Sequence, residues 1–182
     1  MLNARRVDKK FWLSGGWQNI PVDIDWIKTE NIRAVLDLQY TSDDDRNIYS
    51  YIRDMLADEK IEYHNILMYD GDWNTDLPAI FLEGENTLEI WDTGFTNKKD
   101  RILIKCGAGA SRSVSQYLNY ICYRDKISAI EAFGNLVDFE AKWVLVNAPR
   151  NFVPSSPDPC FTKYLMDKYP VIESAFGEID RE

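Results

Sequence analysis

The chain of 182 residues holds a single histidine, His64, and three cysteines, Cys106, Cys122 and Cys160. The cysteines lack metal-ligand spacing, and with one histidine no metal site is expected. Three cysteines also fit a reduced protein better than a disulfide scaffold, so an intracellular, cytoplasmic location is expected. No run of about 18 apolar residues occurs, so neither a membrane span nor a membrane partner is expected. Residues 1–10 lack the apolar core of a secretory signal. Basic residues are in deficit, with 21 Lys and Arg against 30 Asp and Glu and a net charge of −9. That balance argues against nucleic acid as a partner, since such proteins carry a basic face. Any anion must therefore be held by a local positive site, not by the overall field. There is no internal repeat and no low-complexity linker. One domain over residues 1–182 is expected, with 1–10 as an exposed, flexible lead-in and 170–182 as a tail.

What is present alternates between strand-like and helix-like stretches. Phe11-Trp12-Leu13 reads as a short strand before a Ser14-Gly15-Gly16 turn. Asp25 to Glu30 reads as a short helix, and the largely apolar Ile32–Leu38 as a strand buried on both faces. The acidic run in Thr41–Asp45 reads as a cap for the next helix. Ile48, Tyr51, Ile52, Met55 and Leu56 recur at helical spacing between Asn47 and Glu59. Residues 61–68 read as a strand carrying His64, which is taken as a sheet residue. A helix is expected from Leu77 to Trp91, weakened or broken near Gly84, with Asp76 as its N-cap. Arg101–Lys105 is a strand, and a helix with Val114, Tyr117, Leu118, Ile121 and Cys122 on one face follows from Arg112. Ser128 and Glu131 have capping-box spacing for a helix to about Lys142, and residues 144–157 read as a loop. Asp158-Pro159 starts a last helix. This order implies an α/β fold with a central, mostly parallel sheet of about four or five strands and helices on both faces.

The informative stretch lies where the strand Arg101–Lys105 ends. Cys106-Gly107-Ala108-Gly109-Ala110-Ser111-Arg112-Ser113 leads from that strand into a helix. In such sheets, sites lie at the carboxyl ends of strands. A loop of small residues before a helix N-terminus turns its N–H groups inward and forms a nest for phosphate. Arg112 supplies a planar fork for two phosphate oxygens. The same N–H groups favour the thiolate of Cys106, its nucleophilic form. The Ser113 hydroxyl is placed to hydrogen-bond the sulfur and help it leave. A cysteine at a strand end is ordinarily a core residue. The full pattern Cys-x-x-Gly-x-x-Arg-Ser arises by chance at roughly a few per ten thousand cysteines, which favours the phosphate loop.

These residues resemble the phosphate loop of the protein tyrosine phosphatase superfamily, specifically its dual-specificity group. The resemblance extends, less specifically, to Phe11–Gly15, Ile32–Leu38, Ile127–Phe133 and Pro154–Leu165. It implies that Cys106 attacks phosphorus and forms a phosphocysteine without a metal or cofactor. Arg112 and the N–H groups of residues 107–111 would hold the phosphoryl oxygens. It also implies an aspartic acid some thirty residues upstream that protonates the leaving group. Asp70 is preferred because it directly follows the strand and is paired with Gly71. Asp72 has equally acceptable spacing. One departure is Lys105, which stands where the family usually has histidine. A charged lysine accepts no hydrogen bond, so the local network must differ. Its ammonium either lies near the sulfur and favours the thiolate, or points away.

The implied partner is a phosphorylated protein, with phosphotyrosine and phosphoserine or phosphothreonine as targets. Two alternatives stand beside it. One is a phosphate-binding module with little turnover, suggested by Lys105. The other is a phosphatase for an inositol phosphate or an RNA 5′-phosphate. The absence of lysine from residues 107–111 weighs against the latter. Oligomeric state is not legible.

Overall fold

The computed structural model describes residues 3–39, 46–69, 76–147 and 154–171. Its strands are β1 (Ala4–Arg6), β2 (Phe11–Ser14), β3 (Ile32–Asp37), β4 (Glu62–Asn65) and β5 (Arg101–Lys105). Its helices are α1 (Ile20–Thr29), α2 (Arg46–Asp58), α3 (Leu77–Gly94), α4 (Arg112–Asp125), α5 (Ala129–Asn147) and α6 (Pro159–Lys168). The sheet order is β1-β2-β5-β3-β4. β2, β5, β3 and β4 run parallel, and β1 pairs antiparallel to β2.

The central strand shows why both faces are covered. Alternate side chains of a strand point to opposite faces. Ile102 and Ile104 of β5 join Phe11, Leu36 and Val114 in a core under α3, α4, α5 and α6. Leu103 joins Val35, Ile24, Ile27, Ile52 and Leu56 in a second core under α1 and α2. Because neither face of β5 meets water, its sequence is a continuous apolar run and not an alternation. The α4 helix is enclosed more completely than its predicted apolar stripe suggests. Residues Arg112 to Cys122 are all buried, Ser115, Gln116 and Asn119 among them.

Several element ends differ from the sequence reading. The expected exposed lead-in contains β1, in which Arg5 is buried and followed by buried Val7. A buried arginine needs a buried carboxylate, and Glu140 of α5 supplies it. Helix α1 begins five residues earlier than expected, because Asn19 caps it by accepting from Val22 N and Pro21 fits its first turn. Helix α3 runs unbroken through Gly84. A Cβ there would lie 2.4 Å from Gln116 Cδ, so this glycine permits close approach to α4 and does not end a helix. Helix α5 continues beyond Lys142 to Asn147, into the stretch expected as loop. The caps expected at Asp76, Ser128 and Asp158 are formed: Ala79 N, Glu131 N and Cys160 N donate to them at 3.1, 3.2 and 3.0 Å.

Candidate active site

Cys106 follows β5 at its carboxyl end and is almost fully buried. Two groups converge on its sulfur. Gly109 N–H donates to Sγ over 3.2 Å, and Ser113 Oγ lies 3.4 Å from it. The loop curls this tightly because Gly109 adopts φ +78°, a conformation that side chains resist. A Cβ at Gly109 would also lie 2.6 Å from Gly15 N and from Ser14 C.

The rest of the loop is held from outside by its carbonyls. Gly107 O accepts from Gly16 N at 2.7 Å, and Ala110 O accepts from Ser156 N at 2.8 Å. Gly109 O accepts from Arg5 Nη1 at 2.7 Å. In a trans peptide the carbonyl and the next N–H point in opposite directions. Anchoring these three carbonyls outward therefore turns the N–H groups of Ala108, Ala110 and Ser111 toward the concave side. Ser111 N-caps α4 without a side-chain cap bond, and its hydroxyl instead accepts from Asp158 N at 3.0 Å. Backbone N–H groups at the first turn of a helix are of the kind that can hold an anion.

Arg112 opens α4 and is buried. Its Nη1 donates to Leu38 O at 3.2 Å and to Met68 O at 2.9 Å, spanning the ends of two parallel strands. Gly107 sits above it, where a Cβ would meet Nη2 at 2.9 Å. Cys106, residues 107–111, Arg112 and Ser113 are thus brought into one turn. Asp70 and Asp72 lie outside the described residues. Cys122 behaves as the core residue it was taken for, its thiol pushed up to about 12 by burial.

Lys105 points away from the loop into a buried polar cluster. Its Nζ donates to Asp37 Oδ1 at 3.1 Å and Oδ2 at 3.0 Å, and to Gln39 Oε1. It also lies 4.9 Å from the centre of the Trp17 ring. Among the described residues, no group of three or more His, Cys, Asp or Glu is placed to hold a metal ion. His64 is half-exposed on β4, at the far edge of the sheet beyond β3, and bonds Glu83 at 2.8 Å.

Sequence reasoning missed the residues that hold the loop: Arg5, Glu140, Ser155 and the carbonyls of Leu38 and Met68. Backbone carbonyls carry no sequence signal. Gly15 and Gly16 were legible only as turn formers.

No family model matches the chain, and no curated protein sequence is similar enough to count as a match. Solved structures are similar in fold. The Cydia pomonella PTP-2 phosphatase superposes with a TM-score of 0.70 at 19% identity, covering 92% of this chain and 91% of that one. The human tyrosine phosphatase-like serine/threonine/tyrosine-interacting protein gives 0.65 at 13% identity, covering 91% and 94%. PTPMT1 in complex with PI(5)P gives 0.58 at 16% identity, covering 91% and 97%. The chain has the α/β fold of the protein tyrosine and dual-specificity phosphatases.

Proposed function

We propose that the chain is a phosphomonoester hydrolase that works through a cysteinyl-phosphate intermediate. The observation that carries this reading is the convergence of Gly109 N–H and Ser113 Oγ on Cys106 Sγ inside a loop whose carbonyls face outward. The thiolate attacks phosphorus, forming the S–P bond as the bond to the leaving oxygen breaks. Asp70 or Asp72 gives that oxygen its proton. The same carboxylate then takes a proton from water, which attacks phosphorus and expels the sulfur. Ser113 donates to the departing thiolate. Arg112 and the inward N–H groups stabilise the charge of the phosphoryl oxygens in both transition states.

The substrate class supported best is phosphoprotein, with dual specificity for phosphotyrosine and phosphoserine or phosphothreonine. Structural neighbours of this chain include DUSP28 and DUSP15. A second reading is a phosphoinositide substrate, favoured by the neighbour solved with PI(5)P. No helix of the described residues is long and apolar enough to cross a membrane. Separately, the three free cysteines support a reducing, cytoplasmic setting as part of this reading. The test is hydrolysis of an aryl phosphate, a phosphotyrosyl and a phosphothreonyl peptide, and a short-chain phosphatidylinositol phosphate. Vanadate-sensitive turnover that disappears in Cys106→Ser is expected, with the peptides preferred. Turnover that survives Cys106→Ser overturns the mechanism, and preference for the lipid overturns the substrate class.

A further inference from the structure

Lys105 and Asp37 are the paired residues at the ends of β5 and β3, and neither side chain is exposed. Asp37 is supplied with donors from four directions. Its Oδ2 accepts from Tyr63 OH at 3.1 Å and from Trp17 Nε1 at 3.2 Å. Its Oδ1 accepts from Gln39 N at 3.1 Å, and Lys105 Nζ reaches both oxygens. These donors leave neither oxygen of the buried carboxylate without a partner. Lys105 Nζ and Asp37 thus meet as a fully buried ion pair at the strand ends, one residue before Cys106.

The pair touches both halves of the site through the backbone. Cys106 directly follows Lys105. Leu38 directly follows Asp37, donates its N–H to Lys105 O at 2.8 Å, and offers its own carbonyl to Arg112. Charged and titratable groups surround the pair on several sides. Tyr63 faces it from β4, pushed well above the ordinary phenol range by burial and by Asp37, and Tyr63 itself feels Tyr49 and Arg53 of α2. Arg112 acts on it from α4, and Cys106 from the loop. Burial holds the Lys105 ammonium below the ordinary lysine range, while Asp37 and a Cys106 thiolate pull it back up.

We infer that Lys105 and Asp37 form a charge-compensated positioning pair, which locks the ends of β5 and β3 under Cys106 and Arg112 while presenting little net charge to the sulfur. The inference rests on the phosphatase reading for its purpose, but not for its test. Asp37 cancels the charge that Lys105 carries beside the sulfur's own residue. Removing either partner exposes the sulfur to the other's charge, with opposite signs. Removing both restores the balance.

The experiment is the pH dependence of Cys106 alkylation by iodoacetamide, read by mass spectrometry on the intact chain. It requires no turnover, so a chain that alkylates normally but hydrolyses nothing fails the phosphatase reading alone. Lys105→Met removes the cation that balances Asp37, and the alkylation midpoint is expected to rise by about one pH unit. Asp37→Asn removes the anion that balances Lys105, and the midpoint is expected to fall. The double variant is expected to return to within a few tenths of a unit of the wild type. A loosened fold has no reason to move the midpoint in opposite directions. Should Lys105→Met not fold, the fall in Asp37→Asn and the return in the double variant carry the test. Midpoints that move the same way in both single variants, an unmoved midpoint in Asp37→Asn, or a double variant displaced from wild type would each overturn the inference.

Discussion

Arg5 and Glu140 stand 135 residues apart in the chain and meet as a buried ion pair directly behind the loop that carries Gly109. Arg5 passes from the carboxylate to Gly109 O, and its Nη2 donates to Ser155 Oγ at 3.0 Å. Ser155 returns two hydrogen bonds to Glu140, from N at 3.2 Å and from Oγ at 2.5 Å. The first strand, the fifth helix and the segment before α6 are thereby tied to one loop carbonyl. Removing one partner of a buried pair costs about 3–5 kcal/mol, since the other charge is stranded. Arg5→Ala is therefore expected to lower stability by that order in urea unfolding. It should also lower turnover even at temperatures where the variant is fully folded, because Gly109 O loses its anchor.

The loop glycines separate by mechanism. Gly109→Ala places a Cβ 2.6 Å from backbone atoms at φ +78°. Backbone cannot step aside, so loss of vanadate binding and of turnover is expected. Gly84→Ala meets only the end of the Gln116 side chain, but that side chain is fully buried. Overpacking of about 1–3 kcal/mol outweighs the gain of about 1 kcal/mol from replacing helical glycine. Net destabilisation with catalysis intact is expected, measured by urea unfolding beside an aryl phosphate assay.

The general acid is expected to reveal itself by pH profile. Asn at the correct one of Asp70 and Asp72 should cost about 10²-fold or more in kcat with a poor leaving group. The same change should flatten the alkaline fall in rate. Asn at the other should leave the profile unchanged. Equal, small losses at both would place the acid elsewhere.

Asp92 of α3 links Lys10, just before β2, to Tyr120 of α4 and carries a pH-dependent share of stability. Burial disfavours its charge, but bonds from Lys10 and Tyr120 and the charges of Lys10 and Arg124 outweigh this and hold it below the ordinary 3.8. Lys10 Nζ lies 2.9 Å and Tyr120 OH 2.8 Å from its oxygens. A depressed carboxyl stabilises the fold above its unfolded value, and that share is lost as pH falls through the folded value. Asp92→Asn is thus expected to be less stable than wild type at neutral pH, with the gap closing as pH falls below 3.8. A constant gap would contradict this.

The parts of the molecule that chemistry writes locally were legible in its sequence. Cys106 to Ser113, the strand before them and the caps at Asp76, Ser128 and Asp158 depend on residue type and short spacing. What was not legible is the long-range pairing. Nothing near Arg5 announces Glu140, and nothing near Lys105 announces that Asp37 and Gln39 will receive it. Gly84 was misread because a glycine that admits a neighbouring side chain looks the same in sequence as one that ends a helix.

The central claim is that Cys106 takes up the phosphoryl group. Rapid acid quench of the chain during aryl phosphate turnover, followed by peptide mass spectrometry, tests it directly. The account predicts one added phosphoryl group on the peptide containing Cys106, accumulating further in Ser113→Ala and missing from Cys106→Ser. Steady turnover with no phosphoryl group on that peptide, or a phosphorylated peptide elsewhere in the chain, would contradict it.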